Sequence, residues 1–315
     1  MRVAIILTGA LRTIRKTIRY FKQNLVSDNT DVFACVQNDT TQTEEEWNRW
    51  FAEQIHITSL VWFSLSNHGW IQQRELLLEH ICIDETWKGY LRHSGSMIEY
   101  AQLQQAYLKM TQYEHMRQQR YDYIIRARTD SIYCKRIDFH WLQWTDEEVS
   151  QRIAKVREEM ILSKIDLPLL SKYVMTTLIS DHMISNIPYI HATVYTGMSQ
   201  KEPTIEELAE YIRTGRYILT FRKNNLYIVR RDLFHLIPSL GTMYGQFQSP
   251  YSDPWWFNAE GQFTSICYHA GLTTYDYNTD VEDKSVEVTG WNDADFFDEH
   301  MNCINPRMVY CVVRR

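Results

Sequence analysis

What is missing from these 315 residues narrows the field first. No segment approaches the roughly 18 consecutive apolar residues that a membrane span requires. The net charge is -6, so the basic face that a nucleic-acid partner would call for is not expected, although a local basic pocket stays open. The six cysteines (Cys35, Cys82, Cys134, Cys267, Cys303 and Cys311) contain no C-x-x-C pair and no zinc spacing. They read as reduced, mostly buried thiols of a reducing compartment, and a cytoplasmic protein is expected. The apolar run Val3-Ala4-Ile5-Ile6-Leu7 ends at Thr8-Gly9, too short for the core of a signal peptide, and reads as a buried strand. There is no G-x-G-x-x-G, no Walker lysine, no H-E-x-x-H and no Ser–His–Asp pattern, so the common dinucleotide, P-loop, zinc-hydrolase and triad readings fall away. Nor is there a repeat, a low-complexity tract or a clear linker. One domain is expected over residues 1–315.

Aromatic side chains are what the chain has in quantity, with 20 Tyr and 10 Trp. Each carries an apolar face and a polar tip, which suits a sugar ring as well as it suits a core. The spacing of apolar residues gives the framework. A strand at Val3–Leu7 is followed by a glycine turn, and then by Leu11, Ile14, Ile18, Phe21 and Leu25 on one helical face. Asp31 to Val36 is the next strand, and Ser59 to Phe63 a third. Ile71 to Leu91 is helical without clear limits. Met97, Tyr100, Leu103, Tyr107, Met110 and Tyr113 stripe a long helix from about Ser96 to Gln119, ahead of a central strand ending near Asp130. Thr145 with Glu148 and Thr204 with Glu207 are capping-box signatures. Later elements are a strand at Leu226–Val229, a helix from Arg231, a helix from Trp255 to Ala270 stopped by Gly271, and a strand at Leu272–Tyr277. Strand, turn, helix, strand is the opening of an α/β fold with a mostly parallel sheet.

Two places carry chemistry. The turn Thr8-Gly9-Ala10 with Arg12 joins a strand to a helix, where backbone N–H groups and a guanidinium favour phosphate; an ordinary β–α turn explains the same residues. In Arg126-Ala127-Arg128-Thr129-Asp130, alternation puts both arginines and Asp130 on one side of the strand. Charges there need an anionic partner or one another. One reading is a phosphate grip with a divalent cation on Asp130. The other is an Arg–Asp network that pins the end of the sheet. Further along, Asp253-Pro254-Trp255-Trp256-Phe257-Asn258-Ala259-Glu260 offers an aromatic platform and two carboxylates. Glu260 is the first candidate for a general base and Asp253 the second; core packing and a helix N-terminus are the competing explanation.

The segment Tyr121-Asp122-Tyr123-Ile124-Ile125-Arg126-Ala127-Arg128-Thr129-Asp130, with the opening Ala4 to Arg12 and Asp31-Val32-Phe33, resembles the GT-A glycosyltransferases. It is most similar to the WavE-like lipopolysaccharide-synthesis proteins and to glycosyltransferases of large DNA viruses. The resemblance covers roughly the first 135 residues. It implies a Rossmann-like central mixed sheet flanked by helices, with residues 1–135 binding a nucleotide sugar and 136–315 binding the acceptor around a variable insertion at about 140–225. In that family a D-x-D motif ends the central strand and its last acid binds the metal. Arg128-Thr129-Asp130 keeps only that last acid. The resemblance further implies that Thr8, Gly9, Arg12, Asp39, Arg126, Arg128 and Asp130 surround the nucleotide, that Mn²⁺ or Mg²⁺ sits on Asp130, and that a late histidine, His269 or less readily His300, completes its shell. The expected activity is transfer of a hexose or pentose from a nucleoside-diphosphate sugar to a glycan or other hydroxyl acceptor, with inversion if a carboxylate serves as base. A sugar nucleotidyltransferase and a non-catalytic carbohydrate-binding protein on the same scaffold are the alternatives.

Overall fold

A computed structural model describes residues 1–80, 85–93 and 95–134, and beyond them 136, scattered positions from 147 to 158, 191–196, 217–221, 225–242, 259–270, 272–278, 287–289, 292, 297–300, 304 and 310–314. The chain opens with β1 (Val3–Ala10), whose residues from Val3 to Thr8 are all buried. A single 3₁₀ turn, Leu11–Thr13, separates it from α1 (Ile14–Leu25). Ile14, Ile18, Phe21 and Leu25 are buried in α1 as their spacing requires. Next come β2 (Thr30–Gln37), α2 (Glu44–Gln54) and β3 (Ser59–Trp62). The helical stretch without clear limits resolves into α3 (His68–His80) and α4 (Glu85–His93). Then follow the long α5 (Gly95–Arg117), β4 (Tyr123–Arg128) and β5 (Ser131–Tyr133). The remaining described elements are β6 (His191–Thr196), β7 (Tyr217–Phe221), β8 (Leu226–Arg230), α6 (Arg231–Phe234), α7 (Leu236–Thr242), α8 (Ala259–His269), β9 (Thr273–Asn278), β10 (Glu287–Thr289) and β11 (Tyr310–Arg314).

Eight strands make one mixed sheet in the order β3-β2-β1-β4-β8-β7-β9-β6. The first four are parallel: β1 pairs with β2 and with β4, and β2 with β3. Beyond β4 the directions are mixed, with β8 antiparallel to both β4 and β7, β9 parallel to β7, and β6 antiparallel to β9. The α/β class and the mixed, mostly parallel sheet are therefore as expected. A smaller sheet, β10-β11-β5, grows from the residues just after Asp130.

The order around β1 positions everything else. From β1 the chain moves outward to β2 and β3, then returns to β4 on the other side of β1. Strand order reverses at that point, and the crevice outside the carboxyl ends of β1 and β4 is where open α/β sheets bind ligands. Burial closes one face of the sheet with α5: Ala4, Ile6, Phe33, Cys35 and Ile124 share a cluster with Met97, Tyr100, Leu103, Ala106 and Met110. The cluster extends through Tyr227, Phe234, Phe263 and Cys267, so α6, α7 and α8 belong to the same core. Tyr107 and Tyr113, predicted on the same stripe, are partly buried against it. Cys35, Cys134 and Cys267 are free and buried, and burial pushes the Cys35 thiol up to about 12. The two capping boxes expected at Thr145 and Thr204 rest on residues outside those described. The capping box in the structure is at Thr43, whose hydroxyl accepts from the Glu46 N–H while Glu46 accepts from the Thr43 N–H.

Candidate functional site

The site grows from the turn that ends β1. Gly9 has φ +133°, a region L side chains rarely adopt, and a Cβ there would collide with the Thr129 hydroxyl. That hydroxyl donates to the Ala10 carbonyl at 2.6 Å, while the Thr129 N–H donates to the Thr8 carbonyl at 3.0 Å. The Thr17 hydroxyl closes the knot by donating to the Thr129 carbonyl at 2.6 Å. The glycine is thus required by the strand-to-strand contact between β1 and the end of β4, whatever ligand the turn meets. Arg12 follows on the exposed side of the 3₁₀ turn.

The loop after β2 holds Asp39. Asn38 organises it: its Oδ1 accepts from the Thr40 N–H and hydroxyl, and its Nδ2 donates to the Gln42 carbonyl at 2.7 Å. Trp47 Nε1 donates to the Thr40 hydroxyl and Arg15 to Gln42 Oε1, tying the loop to α2 and α1. Arg15 also lies over Trp47 and Trp50. Asp39 is held in a loop with little freedom to move.

At the end of β4 the two arginines differ. Arg126 is 1% exposed and spoken for: its Nη2 reaches Glu99 at 2.8 Å and its Nη1 the Asn225 carbonyl at 2.6 Å. Arg128 keeps a fifth of its side chain exposed. Its Nε and Nη2 grip both oxygens of Asp130, at 2.8 and 2.6 Å, and its Nη1 donates to Asn225 Oδ1 at 2.7 Å. Both explanations of this strand therefore have a share in it. The Arg–Asp network is there, and it stands at the mouth of a cavity.

That cavity, of about 430 Å³, falls within the range of small-molecule sites. Thr8, Gly9, Arg12, Asp39, Arg126, Arg128, Asp130 and Glu260 all line it. Residues drawn from the ends of β1, β2 and β4 and from a helix more than a hundred positions later thus meet at the crevice where the strand order reverses. Glu260 gets there because α8 begins beside α5, with the Tyr100 hydroxyl donating to the Ala259 carbonyl at 3.0 Å. Asp253 lies outside the described residues, as does the side chain of His269, which ends α8. His300 is exposed and lies beside Glu299. Among the described residues, no three His, Cys, Asp or Glu side chains gather to hold a metal ion, and both Asp130 oxygens are occupied by Arg128.

Sequence reasoning missed one wall. Ser96, Glu99 and Gln102 line the cavity from the first turns of α5, with Tyr90 from α4 beside them. The signal was present: polar residues at i, i+3 and i+6 in a helix whose other face is apolar. Asn225, which anchors both arginines, carried no comparable signal. Three buried polar atoms of the lining residues have no hydrogen-bond partner: Thr8 Oγ1, Asp39 Oδ1 and Arg126 Nε. Each costs about 1–3 kcal/mol if left so.

No family model matches the chain, and no curated protein does. Solved structures that match include core-mannan synthase A from Aspergillus fumigatus in its Mn/GDP form, at 13% identity over 86% of this chain and 70% of that one, with a TM-score of 0.32. A likeness that slight carries nothing about the substrate of this chain.

Proposed function

We propose that the chain is a glycosyltransferase that takes a sugar from a nucleoside-diphosphate donor. The observation that supports it most is the convergence of Thr8, Arg12, Asp39, Arg128 and Glu260 on one cavity at the strand-order reversal. In this reading the diphosphate lies along Arg12 and Arg128, and the Asp39 carboxylate accepts a hydrogen bond from the ribose or base. Arg126, enclosed by Glu99 and Asn225, acts as a strut that sets Arg128. An acceptor hydroxyl gives its proton to Glu260 and its oxygen attacks the anomeric carbon as the bond to the phosphate oxygen breaks. Charge that builds on the departing diphosphate falls to the two guanidiniums. A single displacement inverts the anomeric centre.

The test is a panel of UDP-, GDP- and CMP-sugars, scored by thermal shift and by release of free nucleotide, with wild type and Glu260→Gln. One diphosphate donor class, UDP- or GDP-sugar, should raise the melting temperature and be hydrolysed slowly, and a response to the CMP-sugar alone would overturn the diphosphate reading. Glu260→Gln should bind that donor as wild type does, yet lose about 10²- to 10⁴-fold in turnover. No shift with any donor would sink the reading.

A further inference from the structure

Resting on that reading, we infer that Arg128 is a built-in counterion standing where a divalent cation would otherwise bridge Asp130 and the donor's diphosphate, so that this site holds a nucleoside diphosphate without a metal. Four observations lead there. Asp130 is 6% exposed, and a buried carboxylate must be paired. Its partner is the Arg128 guanidinium, gripping both oxygens through two parallel bonds. That geometry commits one lone pair of each Asp130 oxygen to the guanidinium, and among the described residues no three His, Cys, Asp or Glu side chains gather to complete the oxygen shell a cation demands. Arg128 is in turn fixed on its other side by Asn225 Oδ1, and the Asn225 carbonyl holds Arg126, so the guanidinium is set in position rather than trailing into solvent.

Proximity in sequence strengthens the assignment. Arg128 and Asp130 flank Thr129, which is itself locked to Thr8, Ala10 and Thr17. Pair and β1 turn are therefore tied together, and a cation on Asp130 would add a second positive charge beside a partly buried bidentate pair, or have to open it. Breaking such a pair is costly, because each charge is left without its partner. A guanidinium cannot be deprotonated and matches phosphate oxygens with its planar fork, so it can serve the charge of the diphosphate at any working pH.

The experiment is titration of the full chain with UDP and with GDP, by calorimetry, in EDTA and in Mn²⁺. Wild type should bind one of them with a Kd that changes less than about threefold between the two conditions. Arg128→Gln in EDTA should bind about 10- to 100-fold more weakly, the range expected for one charged hydrogen-bonding group. Mn²⁺ should restore part of that loss, because Asp130 is then released for a cation. Circular dichroism and the melting temperature of Arg128→Gln separate a lost contact from a lost fold. Wild-type binding that disappears in EDTA would overturn the inference and leave the transferase reading standing. Binding of neither nucleotide under either condition would overturn both.

Discussion

Gly9 and Thr129 show how tightly single residues set the site. The glycine's φ of +133° and the absent Cβ let the Thr129 hydroxyl approach and reach the Ala10 carbonyl. Gly9→Ala should therefore cost about 2–4 kcal/mol, from backbone strain and overpacking together, measured as a fall in the urea midpoint. In a Thr129→Ala background the same change should cost less, by about 1 kcal/mol, because the clashing oxygen is gone; strict additivity would show that φ alone sets the cost. At this scale much of the cavity's lining is legible. Thr8, Arg12, Asp39, Arg126, Arg128, Asp130 and Glu260 stand out in the sequence, and they share one cavity. The Arg128–Asp130 pairing could be read; the partners distant in sequence could not. Glu99 and Asn225 stand 27 and 99 positions from Arg126, and nothing in local spacing reveals a partner that only the folded sheet brings near.

Among the elements, α5 is the spine of the molecule. Its first turns wall the cavity with Ser96, Glu99 and Gln102, and its last turns are bolted to the far end of β4 and to α6. The bolt is Glu114, whose oxygens take Arg231 Nε and Nη2 at 2.6 to 3.0 Å and the Tyr121 N–H at 3.0 Å. Each side chain is 9% exposed. Glu114→Ala should destabilise by about 3–5 kcal/mol, since Arg231 is left charged in a nearly dry site. The paired change Glu114→Leu with Arg231→Met should cost clearly less in the same denaturation assay. It will not be neutral, because the Tyr121 N–H still loses its acceptor. If the double variant is as damaged as the single one, hydrogen bonding to the backbone outweighs the ion pair. Legibility followed chemistry here too. Strands β1, β2 and β4 and helices α1 and α5 stood out as apolar runs or stripes. The helix α2 did not, because only Trp47 and Phe51 of its eleven residues are buried. Strands β6 and β7, late in the chain, join the sheet beside β9 and β8, and pairing of that range is invisible to local pattern.

For the whole molecule, the proposed anionic donor would have to reach the cavity of a protein of net charge -6. Among the described residues the cavity offers no compensating field. Its guanidiniums, Arg12, Arg126 and Arg128, are outnumbered by the carboxylates of Asp39, Glu99, Asp130 and Glu260. Two of the three cations are already paired, to Glu99 and to Asp130. Attraction to a diphosphate is therefore short-ranged and directional, made by hydrogen bonds once the donor has arrived, whereas the long-range field opposes its approach. Salt removes the opposing part first, because the screening length shrinks from about 30 Å at 0.01 M to about 10 Å at 0.1 M while contacts inside the cavity are little screened. Stopped-flow mixing with a fluorescent nucleoside diphosphate should consequently show an association rate that rises, by about two- to fivefold, over that range. A rate that falls steeply with salt would mean that basic residues elsewhere in the chain gather into a funnel over the cavity, and that donor capture is steered after all.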